Sequence, residues 1–217
     1  MERIKKPKYL IKFCRQLSHA QMLLDGYLFM RPASAFHSFE TNYGDKKEAS
    51  LLSWAMIYKN PNCYIYCLSA IFENKINGRL IDHFNCEDGF IVIINYDDFS
   101  KLLSKENLLN VFSNHSCSYG LVQYGEKGIE FAKQALLDKI FDSTLFTKSS
   151  FFEMEQEFRI ATDERYDENI ESLDVGLKDV NKVFYLGKNI RSISTLIDIK
   201  SMKEKVILLD GQEILIS

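Results

Sequence analysis

An Asp-Gly pair set between two apolar runs constrains this chain more than any other short stretch: Val206-Ile207-Leu208-Leu209 precedes Asp210-Gly211, and Gln212-Glu213-Ile214-Leu215-Ile216 follows it. Such a pair takes up the positive φ angles of a two-residue hairpin turn, so the C-terminal segment commits to antiparallel pairing. Upstream, short β-branched and aromatic runs at 27–31, 63–69, 89–95, 119–124, 155–161 and 182–186 read as strands, the first of them closed by Pro32. Helical spacing is read at 9–24 (Leu10, Phe13, Leu17, Ala20, Leu23 and Leu24, stopped by Gly26), at 46–58 around Trp54, at 98–109, at 128–141 and near 190–203. A polar, acidic loop is expected at 162–178, and Gly187 is expected to break the chain after 182–186. Strands and helices interspersed, with a hairpin that excludes a purely parallel sheet, predict an α+β fold: a mixed, largely antiparallel sheet with flanking helices, in one domain over 1–217.

Composition narrows the class. With 217 residues, 46% of them hydrophobic, 16 Phe, 11 Tyr and only 3 Pro, the chain can bury a substantial core and has no disordered character. A net charge of −3 gives no global field for nucleic acid, and the basic set Arg3, Lys5, Lys6, Lys8 and Lys12 reads as a solvated helix face. Lys12, Arg15 and His19 interrupt the N-terminal apolar pattern, so neither a signal peptide nor a membrane span is expected, and a cytoplasmic location is. Cys14, Cys63, Cys67, Cys86 and Cys117 are odd in number and form no Cys-x-x-Cys, which argues against a disulfide framework or structural zinc.

The segment Phe151-Phe152-Glu153-Met154-Glu155-Gln156-Glu157-Phe158-Arg159-Ile160 carries the strongest chemical signal. If extended, it projects Glu153, Glu155 and Glu157 from one face and Met154, Phe158 and Ile160 from the other. Carboxylates that close repel one another unless a cation, a substrate or a proton lies among them, and an exposed acidic strand edge is the competing explanation. Arg159 is expected to pair locally with its acidic neighbours for little gain. No Gly-x-Gly-x-x-Gly, Walker-type loop, His-Glu-x-x-His or Gly-x-Ser-x-Gly occurs.

In chain order there remain Arg31 at the end of one strand, Ser69 at the end of another, and Glu155-Gln156-Glu157 at the head of a third. This order resembles the arginine, serine, glutamate signature of mono-ADP-ribosyltransferases, although Ser69 stands in Cys67-Leu68-Ser69 rather than in a Ser-Thr-Ser run. The resemblance implies an ADP-ribosyltransferase-like fold with NAD as substrate. Arg31 would hold the phosphates, Ser69 would brace the nicotinamide pocket, and Glu157 would be catalytic with Glu155 beside it. Cleaving the nicotinamide-ribose bond develops an oxocarbenium ion, which a fixed carboxylate stabilises while an arginine neutralises pyrophosphate. His83, upstream of the 89–95 strand, could line the same cleft or be a satisfied structural ring.

A second resemblance spans 24–187. The pieces Leu24-Asp25-Gly26-Tyr27, Tyr66-Cys67-Leu68-Ser69, His83-Phe84, Asp88-Gly89-Phe90, Val122-Gln123-Tyr124, Lys148 with Glu155-Gln156-Glu157-Phe158-Arg159, and Val183-Phe184-Tyr185-Leu186-Gly187 are similar in kind and order to a bacterial family of uncharacterised domains found near phage-defence genes, abortive-infection proteins among them. It implies a phage-defence context rather than a reaction; joined to the first resemblance it gives a toxin or defence effector that modifies a nucleic acid or protein acceptor, with an antitoxin or immunity protein as a candidate partner. Two rivals stand beside it. One is a catalytically inactive interaction or immunity protein on the same scaffold. The other is a magnesium-dependent nuclease built from Glu155, Glu157 and Asp97 or Asp98.

Overall fold

The computed structural model describes residues 5–32, 63–103, 115–125, 146–148, 150–164, 182–201, 206–209 and 212–216. Among these, the chain is mixed α+β with a largely antiparallel sheet and few helices. The strands are β1 (Tyr9–Cys14), β2 (Tyr27–Pro32), β3 (Cys63–Ile71), β4 (Lys75–Ile76), β5 (Phe90–Asn95), β6 (His115–Leu121), β7 (Gln123–Tyr124), β8 (Thr147–Lys148), β9 (Glu157–Glu164), β10 (Lys182–Tyr185), β11 (Ser194–Asp198), β12 (Val206–Leu209) and β13 (Gln212–Ile216).

An eight-stranded sheet runs β10-β2-β3-β1-β5-β11, with β9 added to β3 and β6 added to β9. Every pairing in it is antiparallel. β3 is its pivot. One edge of β3 takes β2 near its start (Arg31↔Ile65) and β1 near its end (Ile11↔Ser69), while the other edge takes β9 along Cys63 to Ser69. Between the β1 and β2 registers, Lys12 reaches in: its ammonium donates to the Cys67 carbonyl at 2.7 Å and lies 4.6 Å from the centre of the Tyr66 ring.

The sheet is apolar on both faces where β1, β3 and β5 cross. On one face Leu10, Leu68, Val92, Ile94, Phe158 and Ile160 pack with Ala20, Leu23 and Leu24 of helix Leu17–Leu24 and with Phe99 of helix Tyr96–Leu102. On the other, Ile11, Ile71, Ile91 and Ile93 meet Ile76, Ile214 and Ile216 of a three-stranded sheet in which β13 joins antiparallel β12 to parallel β4. Each such buried side chain contributes roughly 1.5–3 kcal/mol. Asn95 ends β5 and caps the helix that follows, its side-chain oxygen accepting from the Asp98 N–H at 3.2 Å.

Double-sided burial also explains where the helical reading fails. Residues 9–14 form β1, because apolar residues on both faces of a strand mimic a helical spacing; the helix begins only at Leu17. The segment near 190–203 makes a single 3-10 turn, Arg191–Ile193, and then β11, a half-buried strand whose Thr195, Leu196 and Ile197 pair with β5. The strand read at 119–124 starts at His115 and divides into β6 and β7, and residues 162–164, read as loop, continue β9. Helices read at 46–58 (with Trp54) and 128–141, the remainder of 98–109, the loop beyond 164 and the turn Asp210-Gly211 lie outside the described residues. The strands flanking that turn pair antiparallel, Leu209 facing Gln212. No helix among the described residues is long and apolar enough to cross a membrane.

Glycine is required where the chain enters β2. Gly26 turns the chain from helix Leu17–Leu24 into β2 with φ +89°, and a Cβ there would come within 2.1 Å of the Lys188 carbonyl oxygen. The Gly26 carbonyl accepts from the Leu186 N–H at 2.8 Å, which ties the end of β10 to this turn.

Candidate functional site

β9 places Glu157 and Arg159 on the face opposite Phe158 and Ile160, as the period of a strand requires. Register then sets their neighbours: Ser69 stands opposite Glu157, and both Cys67 of β3 and Gly120 of β6 stand opposite Arg159. The Phe146 ring lies over Gly120, its nearest carbons 4.0 Å from where a Cβ would be. Phe146 leads into β8, which pairs in parallel with β7 so that Lys148 faces Tyr124.

The chain returns to β9 through a 3-10 turn, Ser150–Glu155, and then Gln156 with φ +44°. This left-handed residue is pinned on both sides: its N–H donates to the Glu153 carbonyl at 3.1 Å and its carbonyl accepts from the Ala70 N–H at 2.7 Å. The kink lets Glu155 and Glu157 meet on one lysine. Lys148 donates to Glu155 Oε2 at 2.8 Å and to Glu157 Oε2 at 3.1 Å, with its ammonium 4.5 Å from the Phe152 ring centre. Arg159 grips Glu157 with two donors, Nε to Oε1 and Nη2 to Oε2 at 3.1 Å. His83, at the end of helix Arg79–His83, meets Glu155 Oε1 through Nε2 at 2.9 Å. The Tyr124 hydroxyl accepts from the Glu157 N–H at 2.7 Å.

The result is a buried ionic network. Side-chain exposure is 1% at Arg159, 3% at Glu157, 6% at Lys148 and 7% at Glu155, rising to 16% at His83. The Glu155 and Glu157 carboxylates are matched by the Lys148 and Arg159 cations. Burial alone would raise the Glu157 pKa, but Arg159, then Lys148, outweigh it, with the Cys67 thiol bonded to the same carboxylate; the net effect holds the carboxyl well below the usual carboxylate range. Burial first, then the charge of Glu157, pushes the Tyr124 hydroxyl above the usual phenol range. A carboxylate held so firmly ionised is poorly matched to proton transfer near neutrality. It is suited to electrostatic stabilisation of a cation or to structure.

Of the residues singled out in the sequence, Glu155, Glu157 and His83 belong to this network, and Ser69 is buried next to Glu157 on the adjoining strand. Arg31 is exposed and shares their sheet face, since it is paired with Ile65, but it stands four residues along β3 from Ser69, ~13 Å at strand spacing. Glu153 does not join Glu155 and Glu157; the 3-10 turn carries it to the surface. Asp97 and Asp98 lie on the helix that packs on the opposite sheet face, paired with Lys6 and Lys101. Among the described residues no group of three His, Cys, Asp or Glu side chains is placed to hold a metal ion.

Arg159 is fully buried rather than the weak local pairing expected of it, and Tyr124 is a partner of Glu157 that no motif announced. The Arg159 contact was readable, because i and i+2 share a face in a strand. Lys148 stood within the resemblance to the defence-associated domains, but nothing periodic links it to Glu157 across a 3-10 turn. Beside the network lies an open cleft of about 700 Å³ lined in part by Met154 and Gln156, which flank Glu155, and by Arg79 and Leu80 of the helix that bears His83.

No protein-family model, curated protein or solved structure matches the chain.

Proposed function

We propose that this chain is an ADP-ribosyltransferase-like effector of a bacterial phage-defence system, of the abortive-infection type, that uses NAD to modify a nucleic acid or protein. The observation that carries the reading is strand adjacency: the strands bearing Arg31, Ser69 and Glu157 are neighbours in the order β2-β3-β9, and all three residues lie on one sheet face. Only a ligand as long as a dinucleotide touches both ends of that row. Arg31 at one end meets phosphate, Ser69 and Glu157 at the other meet the nicotinamide ribose, and Glu157, ionised in a fixed cradle, stabilises the oxocarbenium ion without reorganising. On this reading His83 and Glu155 stand beside the Glu157 end of the row.

One observation favours a second reading, a catalytically inactive interaction or immunity protein on the same scaffold. Glu157 is buried and both its oxygens are taken by Arg159 and Lys148. On that reading the network fixes residues 146–148 and 150–156 to the sheet and meets no ligand.

Labelled NAD incubated with the protein and a cell lysate decides between them. The transferase reading expects label in a macromolecular fraction and a melting temperature that rises with NAD, since a ligand at a hundredfold excess over its dissociation constant adds about 2.7 kcal/mol. Arg31→Ala, at an exposed position, removes both responses while leaving the fold intact. Absence of label and of any thermal response at millimolar NAD sinks the transferase and leaves the interaction protein.

A further inference from the structure

The open cleft beside the network has its own chemistry. Its cations are Lys5, Lys75 and Arg79, against the single carboxylate Glu73. Lys5 and Glu73 pair at 3.1 Å, but their side chains are 64% and 73% exposed, so the pair is easily exchanged for another anion. Lys75 and Arg79 have no carboxylate partner among the described residues. A chain of net charge −3 thus concentrates positive charge in one concavity. Buried Ile71 and Leu80 form an apolar floor there. A volume of about 700 Å³ falls within the range of small-molecule sites.

We infer that this cleft binds a phosphate-bearing ligand of nucleotide size, its phosphate between Arg79 and Lys75 and its flat base on the apolar floor. Arginine and lysine together suit a phosphate, the guanidinium by paired donors and the ammonium as a point charge. The floor selects against a bare anion, which gains nothing from Ile71 and Leu80. The site is distinct from the Arg31 end of the proposed NAD row: Arg31 pairs at Ile65 and the cleft opens at Ile71, so the two lie toward opposite ends of β3. A bound ligand would lie against Met154 and Gln156, and so against the turn that holds Glu155.

Calorimetric titration of the full chain with ADP, inorganic phosphate and NAD tests this. ADP is expected to bind, inorganic phosphate to bind at least about tenfold more weakly, and Lys75→Glu or Arg79→Glu each to reduce ADP affinity about tenfold or more, as loss of a charge-assisted contact does. Both positions are exposed, and an unchanged melting temperature shows that the fold has survived. Arg31→Ala should leave ADP binding untouched. No ADP binding at millimolar concentration, equal affinity for inorganic phosphate and ADP, or ADP binding indifferent to both charge reversals overturns the inference. The arms separate it from the transferase reading: NAD binding lost in Arg31→Ala but kept in Arg79→Glu supports that reading and not NAD in this cleft, whereas ADP binding lost only in Arg79→Glu supports the cleft even if no NAD chemistry is found.

Discussion

The two faces of β9 are equally shut away from water and opposite in chemistry. Phe158 and Ile160, 1% and 0% exposed, pack into the apolar core; Glu157 and Arg159, 3% and 1% exposed, hold one another and Lys148 on the reverse side. For the first pair, burial itself stabilises. For the second, taking charges out of water costs several kcal/mol per ion, and Coulomb attraction with hydrogen bonds only offsets that. A strand that could have been apolar on both faces, as β1 and β5 are, therefore keeps ions where they bring little stability. That difference makes the ionic face the one to test for a role beyond holding the fold.

The largest effects come from truncating each face in turn. Phe158→Ala should cost about 3–5 kcal/mol by chemical denaturation, through lost burial and a cavity beside Leu68 and Tyr119. Arg159→Ala should cost about 3–5 kcal/mol too, for another reason: Glu157 would remain buried with Lys148 alone, and Lys148 is shared with Glu155. A loss below about 1 kcal/mol for Arg159→Ala would mean that water enters the network freely, and the comparison between the faces would collapse.

Replacing the ions together sharpens it. Glu157→Leu combined with Arg159→Met removes the charges in balance and leaves Lys148 its bond to Glu155, so stability should be unchanged or higher by about 1–4 kcal/mol. If that stable variant also loses its thermal response to NAD, the ions serve a ligand. If it keeps every measurable property, they serve structure alone, and the interaction-protein reading prevails.

This asymmetry sets what could be read from the sequence. Strands bounded by clear punctuation were legible: β2 ending at Pro32, β5 after Gly89, β10 before Gly187, and the β12-β13 pair around Asp210-Gly211. β1 was not, since residues apolar on both faces erase the period of two that marks a half-buried strand, and β11 was not, since it has only two apolar residues, Leu196 and Ile197, one on each face. At the site, Glu157 with Glu155 and Glu153 was legible as a repulsive set that needed a cation, a substrate or a proton among them. The cation itself was not, because Lys148 arrives through a 3-10 turn and a left-handed Gln156, neither of which has a periodic signature. His83 reaches Glu155 from 72 positions away, and only the fold supplies that contact.

Acid should separate the faces next. With its folded pKa held well below its ordinary value of 4.5, Glu157 contributes stability that is complete above that value and is lost as pH falls toward the lower one. The wild-type chain should therefore weaken on acidification more steeply than the double variant that combines Glu157→Leu with Arg159→Met, whereas Phe158→Ala should shift the whole curve without changing its slope. Parallel acid limbs in all three proteins would remove Glu157 as the source of the acid sensitivity.

The smallest effect lies at the alkaline end and belongs to the apolar face. Cys14 is buried there at the end of β1; burial pushes its thiol up to about 11 from 9.0, against the opposing charge of Lys12 and with a smaller push from Cys86. An unfolded chain releases that proton near 9 and the folded chain near 11, so the stabilisation is whole below 9 and is lost as pH rises through about 11. It amounts to roughly 2–3 kcal/mol at most. The same burial keeps Cys14 a thiol at pH 8 and out of reach of a thiolate-selective reagent. Iodoacetamide labelling of the folded chain at about pH 8, read by mass spectrometry, should leave Cys14 unmodified, and Cys14→Ala should flatten the stability loss between about pH 9 and 11. Prompt labelling of Cys14 in the folded chain would show that the apolar face opens to solvent, and the face with the ions would then be the tighter of the two.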